Sequence, residues 1–220
     1  MKITDGRKTI VCFGDSNTYG YDPADGGRYD EKTRWTGRLQ AMLGEGFKII
    51  EEGQNGRTIA CEDPWEWGTK RGLDYVLPMI ETHKPIDLLI VMLGTNDLKR
   101  KFGLPAADIA GSMQNMLMKV RAYAAAQCGM PDMKILLIVP AALREPMSAS
   151  VFGEFFDDDA PARSRRLADW YRLVADQFGC DLLDASSEIT AGEADHLHLD
   201  PAGHERLAEL IRDRIREYGW

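Results

Sequence analysis

Basic residues are outnumbered in this sequence, and long apolar runs are missing. The 220 residues include 27 lysines and arginines against 35 acidic residues, which gives a formal net charge of −8. The densest basic run, Lys99–Lys101, is too short to hold an anionic polymer. No stretch approaches the roughly 18 consecutive apolar residues of a membrane-spanning helix. We therefore expect neither a nucleic-acid nor a membrane partner.

Cysteines are few, and no targeting segment is evident. The cysteines form no C-x-x-C pair, which argues against a disulfide framework and against a zinc knuckle. They are Cys12, Cys61, Cys128 and Cys180. The N-terminal stretch M-K-I-T-D-G-R-K-T-I lacks the apolar segment of a signal peptide. These absences favour a cytoplasmic location with reduced thiols.

Short apolar runs rich in β-branched residues alternate with longer segments of helical spacing. Such strands separated by helices are typical of a parallel sheet covered on both faces. A chain of this length also fits one large domain. We predict a single α/β domain over residues 1–220, a flavodoxin-like three-layer α/β/α sandwich around a five-stranded parallel sheet. The predicted strands are 9–13, 47–51, 88–93, 134–139 and 181–183, and the predicted helices are 32–43, 72–83, 106–126, 162–178 and 201–218.

Unusual polar motifs follow four of these elements. They are G-D-S-N after the first strand, E-E-G-Q-N-G-R-T after the second, G-T-N-D after the third, and A-D-H-L-H before the last helix. In open parallel sheets, ligands bind beyond the carboxyl ends of the strands. The four motifs are therefore expected to meet at one edge of the sheet.

The residue types in these motifs suit nucleophilic catalysis. A serine needs a base within hydrogen-bond reach, and the base needs a third group to orient it. In the D-x-x-H turn, Asp195 can hold one nitrogen of His198 and leave the other for Ser16. Acyl transfer also needs donors for the developing oxyanion. Candidates are the Ser16 N–H, a backbone N–H within Gly53–Gly56, and the Asn96 amide.

Together, the four motifs in this order resemble those of the SGNH hydrolases, also called GDSL esterases. The likeness covers essentially the whole chain. The additional stretches R-W-T-G, I-E-E-G and V-M-L-G-T-N-D-L-K are similar to the bacterial arylesterase and acyltransferase branch. The resemblance implies Ser16 as nucleophile, Asp195 and His198 as its relay, and an oxyanion hole formed by the Ser16 amide, Gly56 and Asn96.

Gly56 is chosen over Gly53 on a detail of that family pattern. The donor glycine of the family directly precedes a polar residue and a threonine, which here are Arg57 and Thr58. A second detail is a departure, because Asn17 stands where the name of the family has leucine. Its place beside the nucleophile suggests that Asn17 lines the substrate pocket.

The resemblance also implies an activity. We expect a metal-independent serine esterase that needs no cofactor and hydrolyses small acetyl or aryl esters through an acyl-enzyme. Transfer of the acyl group to alcohols is a second expected activity. Members of the resembled branch tend to form homo-oligomers whose subunits wall off the pocket, so a homo-oligomer is implied here as well.

Aromatic residues near the motifs complete the predicted pocket. Tyr21 and Trp65 closely follow two of the motifs, and Phe152 and Phe155 lie in a long irregular segment, 141–161. Long loops in compact domains are often functional. This segment is read either as a cover over the site or as a short packed helix.

Two other functions remain open at this stage. His196 and His198 alternate with nearby aspartates, as in a metal-dependent hydrolase. Alternatively, Gly14–Gly20 opens a helix and resembles a phosphate or nucleotide cradle of a non-catalytic flavodoxin-like module. That stretch lacks the lysine and spacing of a P-loop.

Overall fold

Five parallel strands form the sheet of the computed structural model, which describes residues 6–220. The strand order is β2-β1-β3-β4-β5, with every neighbouring pair parallel. This topology confirms the predicted α/β fold. The first five residues of the predicted domain and N-terminal stretch lie outside the described range. The strands are β1 Lys8–Gly14, β2 Phe47–Gly53, β3 Leu88–Met92, β4 Lys134–Val139 and β5 Asp181–Asp184.

Helices cover both faces of the sheet. The helices are α1 Ser16–Tyr19, α2 Trp35–Leu43, α3 Gly72–His83, α4 Ala106–Cys128, α5 Ala160–Phe178 and α6 Pro201–Arg216. Side chains alternate between the faces along β1, so Val11 and Phe13 pack with α3, α4 and α5, whereas Ile10 and Cys12 pack with α2 and α6.

The observed helix ends differ from the prediction in two instructive places. α2 begins at Trp35 instead of residue 32, because a turn precedes it in which the Asp30 carbonyl accepts from the N–H groups of Thr33 and Arg34. α4 continues to Cys128 and stops where Gly129 adopts a left-handed conformation with φ of 65°. Turn chemistry, rather than apolar spacing, sets both ends.

Burial is less uniform than the prediction of fully covered strands. β3 is buried along its whole length, whereas the two edge strands, β2 and β5, are only partly buried. An edge strand has one neighbour, so one side of its backbone and part of its side chains reach solvent.

The carboxyl ends of three strands lie level with one another. Gly14 at the end of β1 pairs with Gly53 of β2 and with Met92 of β3. The segments that follow these strands therefore leave the sheet side by side, as the sequence predicts for its motifs.

Candidate active site

A continuous chain of hydrogen bonds connects Ser16, His198 and Asp195. Ser16 Oγ lies 2.9 Å from His198 Nε2, and His198 Nδ1 lies 2.5 Å from Asp195 Oδ2. All three side chains are buried, with at most 6% exposure. The structure thus brings together three predicted residues that are up to 182 positions apart.

Local backbone geometry holds Asp195 beneath the histidine. Its Oδ1 accepts from the N–H groups of Leu197 at 3.0 Å and His198 at 2.8 Å. Burial opposes ionisation, but the hydrogen bonds and the charge of His198 lower the pKa of Asp195 below its ordinary value. An ionised Asp195 is an acceptor only, so Nδ1 of His198 carries the proton and Nε2 can accept from Ser16 Oγ.

Close packing places Ser16 just beyond the carboxyl end of β1. A β-carbon at Gly14 would lie 2.0 Å from Thr18 Oγ1, so only glycine lets β1 turn directly into α1. The Asp15 side chain accepts from the Asn17 N–H at 3.0 Å and caps the start of α1. Burial raises the pKa of Asp15 to about 6. Ser16 is the first residue of this short helix.

Asn96 and Gly56 line the same cavity as Ser16. Asn96 Nδ2 donates to the carbonyl of Arg57 at 3.1 Å, which ties Asn96 to the segment after β2. Gly56 has φ of 78°, a left-handed conformation that favours glycine. The alternative donor, Gly53, packs instead beneath α1, where a β-carbon would lie 2.2 Å from the Tyr19 nitrogen.

Asp97 fixes this arrangement, and its role was not predicted from the sequence. Both of its carboxylate oxygens accept from the Ile59 N–H, at 3.0 and 3.1 Å. Burial raises the pKa of Asp97 to about 7. Its partner, the Ile59 N–H, comes from another segment of the chain, so the motif G-T-N-D did not point to this role.

A cavity of about 350 Å³ opens above Ser16. Four of the predicted pocket residues line it, namely Tyr21, Trp65, Phe152 and Phe155. The ring centroids of Tyr21 and Phe152 lie 4.3 and 5.7 Å from the ring centroid of His198. The segment 141–161 therefore contributes to the cover over the site. Other lining residues were not predicted, among them Phe156, Asn55, Glu66, Lys99, Lys101 and Leu197.

Asn17 is not among the residues that line this cavity, in contrast to its predicted place in the pocket. Its Oδ1 accepts from the Leu199 N–H at 2.9 Å, and its carbonyl accepts from Trp35 Nε1 at 3.0 Å. The first turn of α1 directs the side chain toward the loop that carries His198, away from the cavity.

The geometry also bears on the two alternative functions. His196 does not converge with His198, because His196 Nδ1 contacts the Pro146 carbonyl at 2.9 Å while both nitrogens of His198 face Ser16 and Asp195. Across residues 6–220, no three His, Cys, Asp or Glu side chains group as a metal site would need. At the start of α1, the Asp15 carboxylate already occupies the position that a phosphate would take.

The family model of the GDSL-like Lipase/Acylhydrolase family matches residues 12–206. The chain belongs to this family. It is a serine esterase, a hydrolase of carboxylic esters. No curated protein sequence matches the chain.

Solved structures of similar esterases superimpose over nearly the full length. Est24, a carbohydrate acetylesterase from Sinorhizobium meliloti, is 32% identical with a TM-score of 0.88, and the match covers 96% of this chain and 100% of that one. The M. smegmatis aryl esterase is 33% identical with a TM-score of 0.87, and the match covers 96% and 99%. In the described part of this GDSL hydrolase, no helix has both the length and the apolar character needed to span a bilayer.

Proposed function

We propose that this GDSL hydrolase cleaves small acetyl or aryl esters through an acyl-enzyme formed on Ser16. The observation that carries this proposal is the chain of hydrogen bonds connecting Ser16, His198 and Asp195 at the floor of the cavity. Nucleophile, base and orienting group are all within hydrogen-bond reach, as serine catalysis requires.

The proposed reaction uses one histidine for every proton transfer. His198 Nε2 takes the proton of Ser16 Oγ as the oxygen attacks the ester carbonyl, and the oxyanion is bound by the Ser16 and Gly56 N–H groups and Asn96 Nδ2. His198 then gives the proton to the leaving alkoxide, and the acyl-enzyme remains. Water repeats the sequence on the acyl-enzyme and releases the acid. Asp195 holds the imidazole throughout.

Two features support small acetyl or aryl esters as substrates. The leaving alcohol must depart beside His198, where Tyr21 and Phe152 supply aromatic rings that suit an aryl or compact apolar alcohol. The two similar solved structures, a carbohydrate acetylesterase and an aryl esterase, fit the same range.

Acyl transfer to alcohols is part of the same proposal. An acyl-enzyme partitions between water and any alcohol that reaches it, and an aromatic wall favours the less polar acceptor. The expected sign is a new ester product that increases with added alcohol while total turnover of the donor ester is maintained.

Self-association is proposed from the surface around the cavity mouth. Trp65 and Phe155, which line the cavity, are 79% and 54% exposed, and Trp67 and Val151, which are close to them in the sequence, are 95% and 76% exposed. Large exposed apolar patches commonly mark protein interfaces. We propose that a homo-oligomer covers this patch.

The proposed compartment is the cytoplasm, and the proposed organisation is one SGNH domain over residues 1–220. The four cysteines carry free thiols, which suits a reducing compartment. Strands from Lys8 to Asp184 share one sheet, and α6 packs on it near the C-terminus.

A chain-length series of p-nitrophenyl esters tests the proposed function. We expect wild type to favour acetate, with activity unaffected by chelator, and Ser16→Ala to lose turnover. An organophosphonate should label wild type stoichiometrically and leave Ser16→Ala unmodified. Turnover that persists in Ser16→Ala, or that chelator abolishes, contradicts the serine mechanism.

A further inference from the structure

One wall of the cavity is ionic, and its acidic member lies against the proposed oxyanion hole. Glu66 lines the cavity together with Lys99 and Lys101, and it is the only carboxylate in that lining among the described residues. A β-carbon at Gly56 would lie 3.0 Å from the carboxyl carbon of Glu66 and 3.1 Å from each of its oxygens. The carboxylate therefore packs directly on the glycine.

Two lysines hold Glu66 in this position. Lys99 Nζ donates to Glu66 Oε1 at 3.1 Å, and Lys70 Nζ lies 3.8 Å from the other oxygen while donating to the Asn55 carbonyl at 2.8 Å. The second carboxylate oxygen is thus beyond hydrogen-bond length from Lys70. The Glu66 side chain remains 37% exposed and faces the cavity.

The charge of Lys99 is shared with a second carboxylate. Lys99 Nζ also donates to Asp63 Oδ2 at 2.9 Å, and Asp63, which is only 1% exposed, accepts from Lys101 as well. Both cavity-lining lysines therefore bind the buried aspartate, and Lys99 divides its charge between Asp63 and Glu66. Glu66 is the carboxylate that faces a bound ester.

Of the two parts of the ester, the acyl group lies closer to the negative charge of Glu66. This step rests on the proposed function, in which the alcohol leaves beside His198 and the acyl group stays next to the oxyanion hole through both half-reactions. A negative charge on the acyl group would lie near Glu66 in a partly desolvated cavity, where like charges repel strongly.

We propose that Glu66 is a specificity-determining residue that disfavours esters with an anionic acyl group. The ion pairs with Lys99 and Lys70 fix where its carboxylate stands, and Gly56 leaves the room for it. Neutral acyl groups do not meet this repulsion.

Two ethyl esters of equal acyl chain length, the butyrate and the hemisuccinate, test the proposal, with released ethanol as the measured product. The readout is the ratio of their kcat/KM values within one preparation, because this ratio cancels the fraction of active protein. We expect Glu66→Gln to raise the hemisuccinate-to-butyrate ratio by about tenfold. Glu66→Asp keeps the charge and should keep the ratio near that of wild type.

A matched control removes a carboxylate elsewhere at the mouth. Glu154 is exposed and lines the adjoining outer cavity with Arg100, and solvent screens its charge. Glu154→Gln should leave the ratio unchanged. An unchanged ratio in Glu66→Gln, or an equal shift in Glu154→Gln, overturns the proposal.

A second pair of substrates places the charge on the alcohol instead. In Glu66→Gln, the kcat/KM ratio of 4-acetoxybenzoate to phenyl acetate should stay near the wild-type value, and an equal shift here would overturn the acyl-side assignment. If the proposed function is wrong, the result is different, because turnover of these esters would then not depend on Ser16. Failure of the inference leaves Ser16-dependent turnover with unaltered ratios.

Discussion

Asn17 Oδ1 accepts a hydrogen bond from the Leu199 N–H at 2.9 Å, which joins the residue after Ser16 to the residue after His198. The carbonyl of Asn17 is itself anchored by Trp35 Nε1 at 3.0 Å. The start of α1, which carries the proposed nucleophile, and the loop that carries the proposed base are therefore held together by a side chain that touches neither reacting atom.

Replacing Asn17 by alanine should lower kcat and leave KM nearly unchanged. The cavity wall is intact in this variant, but the spacing between Ser16 and His198 is no longer fixed, and we expect kcat to fall by about tenfold or more. The Leu199 N–H loses its buried acceptor, which should cost about 1 to 3 kcal/mol of unfolding free energy. Steady-state kinetics and urea unfolding measure the two effects.

Asn17→Asp is the matched variant, because it keeps an acceptor oxygen for Leu199 and should recover most of kcat. A change confined to KM in Asn17→Ala would instead indicate that Asn17 contacts the substrate, as the sequence first suggested.

Asn96→Ala tests the proposed oxyanion hole. Loss of one such donor typically costs about 2.7 to 4 kcal/mol of transition-state stabilisation, so kcat should fall by about 10² to 10³. Asn96→Asp keeps the size but faces the oxyanion with a carboxylate, and we expect it to be at least as damaging. Kinetics with p-nitrophenyl acetate on folded protein measure both, and a near-normal kcat in Asn96→Ala would remove this residue from the hole.

The sequence was informative wherever function depends on strand ends. Ser16 and Asn96 lie in the segments that follow β1 and β3, and parallel strands bring such positions together irrespective of their separation in the chain. α1 is only about one turn long, so its sequence has no repeating apolar pattern that shows which way each side chain points. The orientation of Asn17 was therefore not predicted. Glu66 and Asp97 were missed because their partners come from other loops, whose packing no local pattern encodes.

Asp97 should make the protein less stable as the pH rises toward neutrality. Burial raises its pKa to about 7 from an ordinary value of 3.8. Between these values the unfolded chain is ionised while the native state keeps the proton, so stability falls as pH rises across this window. The full effect is on the order of 4 kcal/mol at 1.36 kcal/mol per pKa unit.

Asp97→Asn removes this titration and keeps one side-chain oxygen as an acceptor for the Ile59 N–H. The loss of unfolding free energy between pH 4.5 and pH 8, measured with urea, should be smaller in Asp97→Asn than in wild type. An identical pH dependence in the two proteins would show that Asp97 does not titrate in this range.

His204 should produce the opposite slope. It is fully buried in α6, its Nδ1 accepts from the Trp35 N–H at 3.3 Å, and its Nε2 has no hydrogen-bond partner in the described structure. A second proton would have to enter at Nδ1, facing the N–H that it now accepts from. Burial accordingly lowers the pKa of His204 to about 4.

The sign follows from proton binding. Between pH 4 and the ordinary histidine pKa of about 6.5, the imidazole is protonated in the unfolded chain and neutral in the native state. The stability contributed by His204 is therefore complete above pH 6.5 and is lost as the pH falls toward 4. The change in unfolding free energy over this range is about 3 kcal/mol. His204→Asn keeps an acceptor for Trp35 without titrating, so urea unfolding should show a smaller loss between pH 7.5 and pH 4.5 than in wild type. If both proteins lose the same unfolding free energy over that interval, another group is responsible for the acid sensitivity.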